Sequence, residues 1–413
     1  MTDSGFSHSS PFTVGELEKL YYEIVLQQSF YDESYGADWS EEPYKDMAEI
    51  LHHVLKPRAH VDVGCGKGLL VLAMRRLGLN SFGIDFSEAL VRQVPPEIRE
   101  FVQTRKAEDW TRSTRVQEAD LITFMEVFEH LPFALCASIL DALAQSYRGR
   151  LLVTTPSYGV DERWAAGIQT NESTASWRED MAENRPFREI VLHHGIPHHG
   201  HISLASYRWW TEFFLLHGWN RLPDEEAAII QSHHRVVLWR GWFPYVLGLL
   251  PTGQSHVVLT EQDQLGEGWH GVETFGPGLA GRWTNGYAQI FVCCGRTEFK
   301  ALSLDLVAPE ANVIKEIRVA ATLDVQDFDK SSYQLAWTPL LSGAPVEIVP
   351  RMQPYRLRIE LKQVVDRPAE SEAEATVVYR LTLISPSFCP SRYGLSQDDR
   401  NLGVFVSAIH LES

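Results

Sequence analysis

The spacing of hydrophobic positions changes twice along this 413-residue chain. From about residue 13 to 160, stretches with helical spacing alternate with short apolar runs, the order that a parallel α/β sheet requires. A first strand ends in a glycine-rich turn near residue 64, and a helix pattern follows to about Leu79. A second strand covers 81–85, a third precedes Lys106, a fourth begins at Ala119 and a fifth at Arg150. From about 161 to 263 the chain mixes helix with loop and is rich in His and Trp. Within it, 206–217 reads as an apolar helix that takes Trp209 and Trp210 into a core. From about 264 onward the pattern is almost all strand. Tyr355-Arg-Leu-Arg-Ile-Glu-Leu-Lys362 alternates apolar and charged residues over a full strand length, and 299–307, 314–323, 376–384 and 402–411 look similar. Strands at this spacing predict an antiparallel sandwich, with the acidic stretch 366–374 as an exposed loop. The expected division is an α/β domain over 1–222, a connector over 223–263 and an all-β sandwich over 264–413.

Composition narrows the function classes. Hydrophobic residues make up 44% of the chain, enough for real cores, which excludes disorder for the bulk of it. The 37 Lys+Arg against 54 Asp+Glu leave a net charge of −17, so duplex nucleic acid is not an expected partner. The 5 cysteines form no CxxC pair, which argues against a disulfide framework or zinc knuckle and suits a reducing cytosol. No stretch approaches the roughly 18 apolar residues of a membrane span. The nearest, 236–250, is broken by Arg240 and Pro244 and reads as a buried or an interfacial element. The expected location is cytoplasmic, with membrane contact only peripheral, at the inner membrane.

The chemistry concentrates in His60-Val-Asp-Val-Gly-Cys-Gly-Lys-Gly-Leu69. Gly64, Gly66 and Gly68 let the backbone turn tightly and leave room for a ligand against the next helix. The second strand, Ser81-Phe-Gly-Ile-Asp85, ends in an acid 17 residues after Gly68. A carboxylate there can accept both hydroxyls of a ribose. Glycines and acid alone would also suit a nicotinamide dinucleotide. Asp62, however, stands where a dinucleotide fold wants an apolar residue.

The strand series continues with Lys106-Ala-Glu-Asp-Trp110, Ala119-Asp-Leu-Ile-Thr-Phe-Met-Glu-Val-Phe-Glu-His-Leu-Pro132 and Arg150-Leu-Leu-Val-Thr-Thr-Pro-Ser157. Over about residues 45–222 it resembles the class I S-adenosylmethionine-dependent methyltransferases, which are Rossmann-like. Within them it looks most like the branch with Glu-x-x-Glu-His after strand four, which includes quinone-type and small-RNA 2′-O-methyltransferases. The resemblance implies that Asp62, Gly64 and Gly66 line the methionine end of the cofactor and that Asp85 holds its ribose. It places Ala107 and Glu108 beside the adenine and Glu126 near the sulfonium. Lys106 departs from the acid that many relatives carry, so adenine recognition there would rest on backbone groups.

Glu126, Glu129 and His130 fall at the C-terminal edge of the sheet, where open α/β folds bind ligands. Five of the 16 histidines lie within His193-His-Gly-Ile-Pro-His-His-Gly-His201. In the small-RNA enzymes the Glu-x-x-Glu-His triplet and a later His bind a divalent metal; here the later His would be His201, with His198 as the alternative. Two carboxylates and two imidazoles suit Mn, Fe, Co or Zn better than Mg. In other relatives the Glu positions and the His acts as base, so His130 or His201 taking the acceptor proton directly stands beside the metal reading. His193, His194 and His199 read as loop or substrate-rim residues. Trp177, in a polar stretch with Asn171, is a candidate lid, and Trp219 is expected in the core.

The C-terminal region begins Leu265-Gly-Glu-Gly-Trp-His-Gly-Val-Glu273, continues Gly281-Arg-Trp-Thr284 and ends Ser396-Gln-Asp-Asp-Arg-Asn-Leu-Gly-Val404. It resembles a β-sandwich module attached to bacterial enzymes of surface-polysaccharide synthesis. Exposed Trp269 and Trp283 beside Arg400 and Asp398 or Asp399 would suit a sugar surface; the alternative is core aromatics and a structural ion pair. Together the halves point to an O-methyltransferase acting on a sugar or glycan of a cell-surface polysaccharide, with assembly proteins as further partners. An RNA ribose or quinone-type phenol methyltransferase is the second reading. A non-catalytic glycan-binding scaffold is the third.

Overall fold

The computed structural model describes residues 6–25, 31, 36, 38–111, 113–159, 175–232, 242–254, 256–275, 278–294, 299–309, 317–348, 353–364 and 377–413. The acidic stretch 366–374, Asn171 and positions 236–241 of the apolar run lie outside them. The chain forms two compact units: Met1–Leu249 with Phe328–Leu335, and Leu250–Asp327 with Ala336–Ser413.

The first unit is built on an eight-stranded sheet. Its main strands are β1 (Ala59–Val63), β2 (Asn80–Asp85), β3 (Val102–Thr104), β4 (Leu121–Met125), β5 (Arg150–Tyr158), β6 (Trp219–Arg221) and β7 (Trp242–Leu249). They lie in the order β3-β2-β1-β4-β5-β7-β6, and Ala205–Ser206 pairs with the end of β5. The strands from β3 to β5 are parallel, whereas β7 runs antiparallel to both its neighbours. Parallel strands covered on both faces read as continuous apolar runs. Accordingly His60 to Val63 and Leu121 to Phe124 are buried without alternation. Helix Leu69–Arg76 follows the glycine turn, and helices Phe133–Ser146 and Tyr207–Leu216 supply Phe133, Trp209, Trp210 and Phe213 to the main core.

Where they are described, residues 223–249 do not form a connector. Helix Pro223–Gln231 and strand β7 belong to the first unit, and β7 inserts between β5 and β6. The apolar run around 236–250 is therefore a buried strand where it is described: Tyr245, Val246 and Leu247 are buried. Pro244 is tolerated there even though a proline has no N–H to donate to a neighbouring strand. Phe328–Leu335 packs within the same unit, where the Trp209 indole N–H donates to the Tyr333 carbonyl at 2.8 Å.

The second unit is an antiparallel β-fold. Its central path runs from Phe405–Glu412 through Ala301–Val307, Tyr355–Gln363, Gln334–Ile348, Ile317–Asp329 and Val377–Ile384 to Tyr287–Cys294. Leu357, Ile359 and Leu361 face the core, while Arg356 and Arg358 face outward and pair across strands with Asp305 and Glu412. Among the described residues no helix is long and apolar enough to cross a membrane.

Candidate active site

The glycine turn after β1 is held open by backbone that other residues avoid. Gly64 and Gly66 have φ of +76° and +53°, in the left-handed region. A Cβ on Gly64 would lie 2.5 Å from a Val127 methyl, and one on Gly66 would lie 2.7 Å from the Trp39 indole. Trp39 thus covers the turn, and the Lys67 ammonium secures the segment before it by donating to the Gly36 carbonyl at 2.8 Å. Below the turn, the Asp85 carboxylate accepts from the backbone N–H of Gly66 and of Ser87, both at 2.8 Å. Burial raises its pKa to about 6, against the pull of those two donors. Asp62 is pushed up to about 7, chiefly by burial, although Thr123 donates to it at 2.6 Å. Thr123 in turn contacts His60, whose other nitrogen meets Ser81. Because Thr123 spends its proton on Asp62, His60 must donate from Nε2 and accept at Nδ1.

A cleft of about 470 Å³ opens over this turn. Asp62, Gly64, Gly66, Asp85, Ala107, Glu108, Glu126, His130 and His201 all line it, as do Trp39 and Tyr31. Glu129 and His198 are absent from the lining. Tyr31 and Trp39 escaped the sequence reading because they sit in a polar, aperiodic segment; their aromatic character beside Gly36 was the only available signal.

At the far end of the cleft the chain leaves β4 through Glu126, whose φ of +57° is left-handed for a non-glycine residue. Its N–H donates to the Thr154 carbonyl, and the Thr154 hydroxyl donates to its carboxylate at 2.6 Å. The next turn carries Glu129 and His130. Ligand atoms of Glu129, His130 and His201 lie within 4.8 Å of one another, the one such group of three or more His, Cys, Asp or Glu among the described residues. His198 is outside this group. Among the described residues neither Glu129 oxygen has a well-formed hydrogen bond, although the Glu126 carboxyl and the Thr155 hydroxyl lie near enough to pull its pKa down against burial; one oxygen of Glu126 likewise lacks a bond. Burial raises both carboxyl groups, and the Glu129 charge raises Glu126 further. His130 Nδ1 lies 2.8 Å from the Tyr31 hydroxyl and 3.3 Å from the Gly200 carbonyl. A carbonyl only accepts, so the network assigns the proton to Nδ1 and leaves Nε2 with its lone pair. Burial keeps His130 and His201 neutral, with His130 lowered to about 4.

Other expected positions turn out structural. Trp177 is no lid: it is buried, stacks on Phe187 at 4.5 Å and donates to the Glu189 carbonyl. In the second unit Trp283 is buried against Phe275, Phe388 and Phe405, and the half-buried Trp269 donates to the Gln289 carbonyl. Arg400 pairs with Asp398 and Glu273. The Trp283 ring is spent on packing, and Trp269 packs in part against the core of the second unit.

The sheet order, the glycine turn and the acid ending β2 give the first unit a Rossmann-like α/β fold with a nucleoside-binding arrangement at the C-terminal edge of its sheet. Residues 39–221 match the family described as methyltransferase domain. The chain is 35% identical over 85 residues to a ubiquinone biosynthesis O-methyltransferase of Methylococcus capsulatus, covering 20% of this chain and 36% of that one. It is 30% identical over 130 residues to the protein of that name from Hydrogenovibrio crunogenus, covering 30% and 53%. It thus spans about a third to half of these relatives' own lengths. A solved S-adenosylmethionine-dependent methyltransferase from Archaeoglobus fulgidus aligns with a TM-score of 0.33 and 13% identity, covering 55% of this chain and 98% of that one.

Proposed function

We propose that this protein is an S-adenosylmethionine-dependent O-methyltransferase that methylates a sugar hydroxyl of a glycan or cell-surface polysaccharide. The observation that carries the reading is the pair of neutral imidazoles, His130 and His201, at the end of a cleft that begins at the glycine turn, with the buried Glu129 carboxyl behind them. An aliphatic hydroxyl is a weak nucleophile, so its methylation needs a group that takes or weakens the proton. S-adenosylmethionine supplies a methyl group on an electrophilic sulfonium. Asp85 stands where it can accept the ribose hydroxyls, and Asp62 can hold the cofactor's ammonium group. Trp39 lies over the turn and would pack against a cofactor bound there.

The donor set fits a divalent ion of the Mn, Fe, Co or Zn group better than Mg. It combines a buried carboxyl without well-formed hydrogen bonds among the described residues, two imidazoles and Glu126 close by. A bound ion would supply Lewis acidity toward the acceptor oxygen. The chain's own part is orientation: Tyr31 and the Gly200 carbonyl fix the His130 ring, and Thr154 fixes Glu126. Without an ion, His130 Nε2 would accept the acceptor's proton.

The polysaccharide part of the reading is supported by the likeness of the second unit's motifs to modules of polysaccharide enzymes. A quinone-type phenol is the second reading, favoured by the aromatic lining of Tyr21, Tyr31, Trp39, Tyr44 and Phe86. Radiolabelled methyl transfer from S-adenosylmethionine to a panel of glycans, catechols and RNA oligonucleotides separates them. Label entering glycans alone supports the first reading; label entering catechols alone replaces it with the second. Absence of S-adenosylmethionine binding in calorimetry would overturn both.

A further inference from the structure

The centre of the parallel sheet holds a titratable side chain that reaches neither the cleft nor water. His60 stands on β1 with β2 and β4 on either side, a place that parallel sheets fill with aliphatic residues. It is fully buried, as are Ser81 and Thr123. Alternation along the strand puts His60 and Asp62 on one face of β1. Register puts Ser81 opposite His60 on β2 and Thr123 opposite Asp62 on β4. The four polar side chains therefore form one file across the sheet. Ser81 meets His60 Nδ1 at 2.8 Å, His60 Nε2 meets Thr123 at 3.0 Å, and Thr123 meets Asp62 at 2.6 Å. The last member, Asp62, lines the cleft over the glycine turn.

The file has a direction. With Asp62 ionised, Ser81 donates to Nδ1, Nε2–H donates to Thr123 and Thr123 donates to the carboxylate, so each proton points toward Asp62. Burial holds the imidazole neutral, which lets it accept at one nitrogen and donate from the other. The Thr123 hydroxyl has a second acceptor within reach, the Val61 carbonyl at 3.5 Å. By occupying a lone pair of that hydroxyl, Nε2–H fixes the rotation that sends its proton to Asp62. Donors in series also polarise one another, so the bond that opposes the burial of Asp62 is stronger with His60 in place. We propose that His60 is a positioning residue for the cofactor: through Thr123 it fixes the Asp62 carboxylate that receives the ammonium group of the methionine moiety. The inference rests on the assignment of Asp62 to that ammonium group made above.

The test compares two ligands of the whole chain by calorimetry: S-adenosylhomocysteine and its analogue with hydrogen in place of the amino group. The unmutated protein should prefer the first. His60→Leu and Thr123→Val should each lose about tenfold of that preference, the smaller effect expected of a hydrogen bond to a charged group, with affinity for the deaminated analogue unchanged. His60→Gln, whose amide reaches Thr123, and Thr123→Ser should keep most of the preference. His60→Asn, polar but too short for Thr123, should behave as His60→Leu and takes its place if leucine prevents folding. A merely structural role would weaken both ligands alike and would not rank glutamine above asparagine. Equal losses for the two ligands, or an unchanged preference in the leucine and asparagine variants, overturn the role of His60 and leave Asp62 as the ammonium site. An unmutated protein without preference overturns the assignment of Asp62 as well, while its binding of S-adenosylhomocysteine keeps the methyltransferase reading. If neither ligand binds, all three fall.

Discussion

Among the described residues neither oxygen of the buried Glu129 carboxyl has a well-formed hydrogen bond, so Glu129→Met should make the metal-free protein more stable. Each buried polar atom left unpaired costs about 1–3 kcal/mol, and a side chain of similar shape without polar atoms removes that cost. Two oxygens are involved, and removing Glu129 also relieves Glu126 of a neighbouring like charge. Methionine retains the length of the side chain, so some of the gain offsets imperfect packing. A net stabilisation of about 2–3 kcal/mol remains, which corresponds to about 5–10 °C in the unfolding midpoint of a unit this size. The backbone contribution is untouched, because Ile202 and Ser203 donate to the Glu129 carbonyl rather than to its side chain. Urea unfolding in the presence of chelator measures the effect, and the same variant should lose methyl transfer. A destabilised Glu129→Met would mean that the carboxylate is paired in solution, and the reasoning that makes it a functional group would fail.

Gly66→Ala should lower S-adenosylmethionine affinity at least tenfold and destabilise the protein by about 1–2 kcal/mol, because the left-handed backbone and the Trp39 indole both oppose a Cβ; calorimetry and urea unfolding check it. Asp85, with a folded-state pKa near 6 against an ordinary 3.8, binds its proton more tightly in the folded chain. Cofactor-free stability should thus fall by about 3 kcal/mol as pH rises from about 4 to about 6, a loss absent from Asp85→Asn. His60 acts with the opposite sign: burial lowers it to about 3, so the unfolded chain takes up the extra proton and stability falls as pH drops from about 6.5 toward 3. Urea midpoints across pH for the wild type, Asp85→Asn and His60→Gln separate the two. Tyr31→Phe should weaken Co²⁺ binding about tenfold while leaving S-adenosylmethionine affinity near its original value, since the phenol orients His130; equal Co²⁺ affinity would refute that role.

Local chain chemistry accounts for what could be read directly. Gly64 and Gly66 sit in left-handed turns that other residues strain to enter, and Asp85 ends a strand in register with β1, so a single motif located one end of the cleft. The alternation of 355–362 is a property of a two-faced strand, and it placed Leu357, Ile359 and Leu361 in the core of the second unit. Contacts between distant segments carry no such local signature. Tyr31 meets His130 across 99 positions of sequence, and Trp39 reaches the glycine turn from a segment with no periodic pattern. His201 and His198 are equivalent as letters in a histidine-rich run; only the folded turn, held by Gly200 against His130 and Tyr31, brings the first to Glu129 and leaves the second outside. Trp177 lies among polar neighbours in sequence yet stacks on Phe187, because neighbours along a chain do not decide which surface a side chain covers. The strand Trp242–Leu249 shows the same division. Its apolar letters foretold burial, whereas its antiparallel place between β5 and β6 was settled by which sheet position remained to satisfy its backbone hydrogen bonds.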